Sequence, residues 1–189
     1  DSADLRASVV SKAKAVGYTP TSATASKAVI DVVVSPASGS TLTMARGTQF
    51  STTVNGVSYN FVNNADLSIT PVDNVYKFSN VDVFEGTYLN FKYTVNTSDT
   101  DQRFIIPNDN VDTTTLTVKV QESSSDSTTS TYKLADGITG LTSSSKVFFL
   151  QEVENGRYEV SFGDGVLGKA GADGNIIILD YINTNRAQA

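Results

Sequence analysis

Gly163 to Lys169 satisfies the spacing G-x-x-x-x-G-K, and Asn175 to Asp180 is an apolar run ending in an acid. Together they resemble the two halves of a nucleoside-triphosphate site, in which backbone amides and a lysine hold phosphate. The context for that chemistry is missing. A phosphate loop leads straight into a helix whose N-terminal amides face the anion, and a Ser or Thr after the Lys holds magnesium. Here Ala170 takes the hydroxyl position and Gly171-Ala172-Asp173-Gly174 follows. Each glycine costs a helix about 1 kcal/mol relative to Ala, so no helix is predicted there. The expectation is a glycine-rich β-loop in which Gly163, Gly165 and Gly168 supply unusual backbone angles and Asp164 bonds backbone amides.

Three other groups carry candidate chemistry. Glu152, Glu154 and Glu159 surround one predicted hairpin, and paired carboxylates at suitable separation cleave glycosides; on a sheet, solvent-facing carboxylates are the ordinary outcome. Asn108, Asp109, Asn110 and Asp112 offer oxygen ligands for calcium but lack the EF-hand spacing and its terminal Glu, which favours an Asx-type turn. Tyr59, Tyr93 and Tyr158 could form a sugar-binding face, but they fall on the apolar sides of their strands, where core packing is the default.

Composition narrows the classes further. The 189 residues include no Cys and no His. This excludes disulfides and zinc thiolates, and removes the usual general base and nucleophile activator. A formal charge of −6, with the 14 basic residues scattered, argues against a nucleic-acid surface. No apolar run approaches the roughly 18 residues of a membrane span, and the first residues lack signal-peptide character. The absence of an initiator Met suggests a segment of a longer protein. The reading is therefore of a non-enzyme without cofactor or metal.

The elements that would position these residues are mostly strands. Leu5, Val9, Ala13 and Val16 share one helical face, Ser2 or Asp4 can cap it, and Gly17 can end it, which predicts a helix over about residues 4–16. After it the period becomes two: Ala28, Ile30, Val32 and Val34, then Leu89, Phe91, Tyr93 and Val95, then Leu116, Val118 and Val120. Asn55-Gly56 and Asn155-Gly156 lie between alternating runs and read as type I′ hairpin turns, which need positive φ at both central residues. Tyr158, Val160 and Phe162 mark a strand before the glycine-rich loop, and Ile176, Ile178 and Asp180 one face of the strand after it. A parallel return would need a crossover of a dozen or more residues, so these two strands are predicted to pair antiparallel.

The fold class expected is mainly β (α+β), with one N-terminal amphipathic helix followed by antiparallel β-hairpins forming two units. Ser and Thr make up roughly a quarter of the chain, as suits solvated strand faces and turns. The wholly polar stretch 122–130 reads as a linker or exposed loop. The expected boundaries are a helix and exit turn at 1–19, a larger β domain at 20–122, a Ser/Thr-rich linker at 123–130, a smaller β unit at 131–183 and a tail at 184–189.

A longer pattern gathers several of these pieces. Phe149, then Gly156-Arg157-Tyr158-Glu159-Val160-Ser161-Phe162-Gly163-Asp164-Gly165-Val166-Leu167-Gly168, then Gly174-Asn175-Ile176-Ile177-Ile178-Leu179-Asp180-Tyr181 resembles the hairpin and glycine-rich stretch of the baseplate J-like proteins of contractile phage tails. Val16-Gly17-Tyr18-Thr19-Pro20, Ser22-Ala23-Thr24-Ala25, Met44 to Phe50, and Arg103 to Asn108 with Val111-Asp112 are similar to shorter segments of that family. The resemblance implies an interior fragment of a structural wedge subunit that pairs with itself, builds a ring around the central hub and joins other wedge subunits. The assembly would form in the host bacterial cytoplasm, end in the virion tail and rearrange to trigger sheath contraction. It implies no catalytic residue, no cofactor, no direct nucleic-acid or membrane contact and no small-molecule substrate. A surface-adhesion or carbohydrate-binding β module is the rival expectation.

Overall fold

A computed structural model describes residues 21–153 and 156–185. The predicted helix over 4–16 and its exit turn lie outside the described residues. The described residues are mainly β, with 52% in strands and 1% in helix. They divide into two compact units, one of Thr24–Tyr88 with residues 182–185, the other of Leu89–Tyr181 with residues 21–23.

The first unit contains β1 (Lys27–Val34), β2 (Leu42–Met44), β3 (Gln49–Val54), β4 (Val57–Asn63), β5 (Leu67–Ile69) and β6 (Tyr76–Glu85). Four of these form an antiparallel sheet ordered β1-β6-β4-β3, and β2 pairs with β5 in a second, two-stranded sheet. Ala28, Ile30 and Val32 from β1 join Phe78, Val81 and Val83 from β6 and Met44, Leu42, Leu67 and Ile69 from the small sheet in one apolar cluster. The jump from Phe78 to Val81 marks a bulge: Ser79 and Asn80 together oppose Asp31, and Asn80 has φ 56°. The extra residue re-phases β6 so that apolar side chains on both sides of it face the same core.

Two tight turns in this unit use left-handed backbone. Val54 pairs directly with Val57, and Asn55 (φ 52°) and Gly56 (φ 83°) close the hairpin, the dihedral signs of a I′ turn. Val72 and Val75 exchange two backbone hydrogen bonds of 2.9 Å across Asp73 (φ 51°) and Asn74 (φ 64°). This second turn carries no glycine. Asn74→Gly is therefore expected to stabilise the protein by about 0.5 kcal/mol, because glycine takes positive φ without the Cβ penalty. A rise in urea midpoint at unchanged m-value would register it.

The second unit contains β7 (Thr87–Thr94, its first two residues belonging to the other unit), β8 (Phe104–Ile105), β9 (Val111–Gln121), β10 (Thr129–Leu134), β11 (Val147–Glu152), β12 (Tyr158–Phe162) and most of β13 (Ile176–Asn183). They form one sheet ordered β7-β13-β9-β10-β11-β12-β8. The edges β7 and β8 approach each other: the Tyr93 hydroxyl donates to the Ile105 carbonyl, and the Tyr93 and Phe104 rings meet edge-on at 5.5 Å. The curled sheet encloses Ile106, Val111, Val118, Val120, Tyr132, Phe148, Val160, Ile177, Leu179 and Tyr181, as in a small, partly open barrel filled by side chains.

Two expectations are corrected here. β12 and β13 are not neighbours; β9, β10 and β11 lie between them in the sheet. The chain thus leaves β12, passes through the glycine-rich segment and enters β13 beside β9 and β7. The parallel pairing lies instead between β10 and β11, joined by residues 135–146, a connection of the length such a return needs. The stretch 123–130 is not a boundary: β9 and β10, on either side of it, pair antiparallel from Gln121↔Thr129 to Val118↔Tyr132. The division between units falls at Tyr88/Leu89 instead. The β11–β12 ladder continues to a Val153 N to Arg157 O bond of 2.8 Å, and Gly156 has φ 73°; the predicted Asn155-Gly156 turn includes Asn155, which lies outside the described residues.

Candidate functional site

The glycine-rich segment between β12 and β13 contains no helix, and its amides are already spoken for. Asp164 Oδ1 accepts from Val166 N at 2.9 Å and Leu167 N at 2.8 Å. Gly165 N donates to Gly168 O, Gly168 N to Thr142 O and Lys169 N to Ser145 O, at 2.8–3.1 Å. Five successive amides, 165 to 169, thus end on acceptors within the protein. A phosphate cradle needs those donors free. In this loop the Asp164 carboxylate stands where an anion would, and the Leu167 and Val166 amides hold it below the usual carboxylate range. Lys169 reaches Glu122 at 3.4 Å.

The glycines have distinct reasons. Gly165 and Gly168 have φ of 88° and 100°, which L-residues rarely adopt. Gly163 does not; its hydrogen is needed because a Cβ there would lie 2.3 Å from the Gly168 carbonyl carbon. At the far end Asn175, nearly buried, accepts from Ala172 N at 2.9 Å and donates to Glu122 O at 2.9 Å.

Beside this loop lies a cleft of about 280 Å³ whose lining includes Val95, Arg103, Phe104, Glu159, Phe162 and Gly171. Its charged groups neutralise one another. Arg103 binds Glu159 through two parallel bonds, Nε to Oε1 at 2.9 Å and an Nη to Oε2 at 2.7 Å, and Gln151 adds a third at 3.0 Å. The Arg103 bonds, opposed by partial burial and aided by Gln151, hold the Glu159 carboxyl below its ordinary value. A group with a depressed folded-state pKa stabilises above its unfolded pKa, about 4.3 for Glu, and that contribution disappears as pH falls through the lower folded value. Arg103→Met is expected to cost about 1–2 kcal/mol at pH 7, moderated by the exposure of Arg103, and to flatten the loss of stability in acid. Urea titrations at pH 7 and pH 3 measure both effects.

The glycosidase arrangement is not formed. Glu152 opposes Tyr158 and Glu159 opposes Gln151 across the β11–β12 ladder, so the two carboxylates project from opposite faces; Glu154 lies outside the described residues. Calcium is not supported either. Asp112 is fully buried and accepts from Thr114 N at 2.9 Å and Thr114 Oγ1 at 2.6 Å, while Asn108 Oδ1 accepts from the Tyr181 hydroxyl. Among the described residues no three His, Cys, Asp or Glu are gathered to hold a metal. Tyr158 is buried, Tyr93 packs against the core of its unit and Tyr59 is half-buried, so the three form no common exposed face.

Sequence reasoning did not find two of the polar clusters in the second unit. Arg103–Glu159–Gln151 is one. The other is Asp180, whose side chain is buried and bonded to Lys119 at 3.2 Å and Asn90 at 2.6 Å. A two-residue turn at Asn155-Gly156 would place Glu159 opposite Glu152, whereas the ladder places it opposite Gln151, so neither cluster had a signal in the sequence.

No protein-family description matches the chain, and no curated protein matches it.

Proposed function

We propose that this chain is scaffold from a contractile-tail baseplate, a structural wedge subunit closest to the large wedge protein of T4-like tails. In this reading it assembles with copies of itself and with other wedge proteins around the hub, and takes part in the rearrangement that triggers sheath contraction. The observation that supports it most is how the residues carrying the resemblance are employed. Asp164 closes its own loop, Asn175 fastens the loop's exit, Gly163 admits the Gly168 backbone and Tyr181 anchors Asn108. The shorter segment at residues 44–50 behaves alike: Thr48 Oγ1 donates to Ala45 O at 2.6 Å, Thr48 N to Asn63 Oδ1 at 2.8 Å, and Gly47 lies against the Tyr88 ring. Residues used in this way fix a shape and offer no reactive group to a substrate, as an assembly subunit requires.

The test is direct. Gold-labelled antibody against this chain is expected to decorate the baseplate end of contractile particles made by cells that express it. Unlabelled particles, together with glycan binding by the purified chain, would replace the reading with that of a carbohydrate-binding or adhesion module.

A further inference from the structure

Among the described residues β1 is one edge of the four-stranded sheet, and its residues separate by face. Ala28, Ile30 and Val32 turn into the apolar cluster, while Lys27, Val29, Asp31 and Val33 are exposed, Val29 at 57% and Val33 at 59%. An edge with exposed valines invites another strand. The hydrogen-bond phase shows which backbone groups are available. Glu85 N donates to Ser26 O at 2.8 Å, and the register continues as Lys27↔Phe84 and Ala28↔Val83. Alternation along an antiparallel ladder then turns the backbone groups of Ala28 and Ile30 toward β6 and those of Lys27, Val29 and Asp31 off the open edge. The bulge lies in β6, so the outer side of β1 keeps its alternation unbroken.

We infer that this edge pairs with β1 of a second copy, antiparallel, about a two-fold axis at Val29. In that register Val29 meets Val29 as a hydrogen-bonded pair, and Lys27 of each chain lies opposite Asp31 of the other. Other registers lose this complementarity: axes at Ala28 or Ile30 set Val29 opposite a charged side chain and leave Lys27 without Asp31, an axis at Lys27 opposes two lysines, and one at Asp31 opposes two aspartates. An axis at Val33 carries the pairing to Ser35 and Pro36, and proline has no N–H to give. Lys27 already binds Asp82 at 2.8 Å, so in the dimer its ammonium lies between two carboxylates. The opposite edge, β3, exposes Gln49, Ser51 and Thr53, which have no such self-complementarity. The contact is isologous and joins two four-stranded sheets into one continuous sheet. It rests on β1 alone and holds whether or not the chain serves in a baseplate.

Charge exchange tests it on the whole chain by sedimentation equilibrium. The wild-type chain is expected to dimerise reversibly, and K27D and D31K each to weaken the dimer tenfold or more. Both side chains are about half exposed, so each variant should keep the wild-type circular dichroism spectrum. An equimolar mixture of K27D with D31K is expected to recover a heterodimer, because each altered charge then meets its opposite. A wild-type chain still monomeric at about 1 mM, single variants that dimerise undiminished, or a mixture that fails to associate would each overturn the pairing. None of these results changes where the antibody labels a particle.

Discussion

Gly163→Ala is expected to cost about 3 kcal/mol and to lower the melting temperature by roughly 6–12 °C. The reason is steric rather than conformational, since Gly163 does not occupy the left-handed region. A Cβ at this position would lie 2.3, 2.4 and 2.5 Å from the carbonyl carbon, oxygen and Cα of Gly168. Those atoms cannot retreat freely. Gly168 O accepts from Gly165 N, and Gly168 N donates to Thr142 O, each at 3.1 Å. Relieving the clash therefore breaks loop hydrogen bonds that hold both ends of the turn. Gly174→Ala separates the two causes. Gly174 has φ 79°, but a Cβ there would meet nothing within 4 Å, so only backbone strain of about 1–2 kcal/mol should appear. Denaturant midpoints at constant m-value would rank the two variants. A Gly163→Ala protein as stable as Gly174→Ala would mean that the loop yields and is not a rigid scaffold.

How much of this was legible in the sequence depended on whether the controlling interactions were local. Asn55-Gly56 encodes its own turn, because the φ requirement and the residues that meet it are adjacent. Asp164 capping Val166 and Leu167 is likewise a contact over two and three positions, and follows from residue type. The alternation of Ala28, Ile30 and Val32 survives in the cluster of the first unit. β6 escaped notice because the bulge at Ser79-Asn80 interrupts its period, placing core residues at 78, 81 and 83. Sheet order was not legible at all. Nothing local distinguishes a glycine-rich link between adjacent strands from one that passes to a distant place in the sheet, and β12 and β13, expected to be neighbours, are separated. Arg103 and Glu159 are 56 positions apart, so their pairing becomes visible only once β8 lies beside β12.

Leu179→Ala is expected to be the most damaging single truncation in the second unit, at about 3–5 kcal/mol. Period-two alternation puts Ile176, Ile178 and Asp180 on one face of β13, yet residues 177 to 182 are all buried, so the strand has no solvent-facing side over that span. Ile177, Leu179 and Tyr181 point into the core, where Leu179 is 0% exposed. On the other face the Asp180 carboxylate is held by Lys119 and Asn90. These attachments fix the strand and prevent it from closing the space that the lost methyl groups would leave. Tyr181 cannot move in either, because its hydroxyl is bonded to Asn108; burial, with the Tyr93 phenol nearby, pushes that hydroxyl up to about 12, so it remains a neutral donor at ordinary pH. Leu179→Met keeps most of the volume and should cost under about 1.5 kcal/mol. Val166→Ala, at a side chain 70% exposed, should remain within about 0.5 kcal/mol of wild type. Urea unfolding of the three variants reads this order directly. A Leu179→Ala protein that lost less than Leu179→Met would remove β13 from the centre of the core and with it the account of why this strand is apolar on both faces.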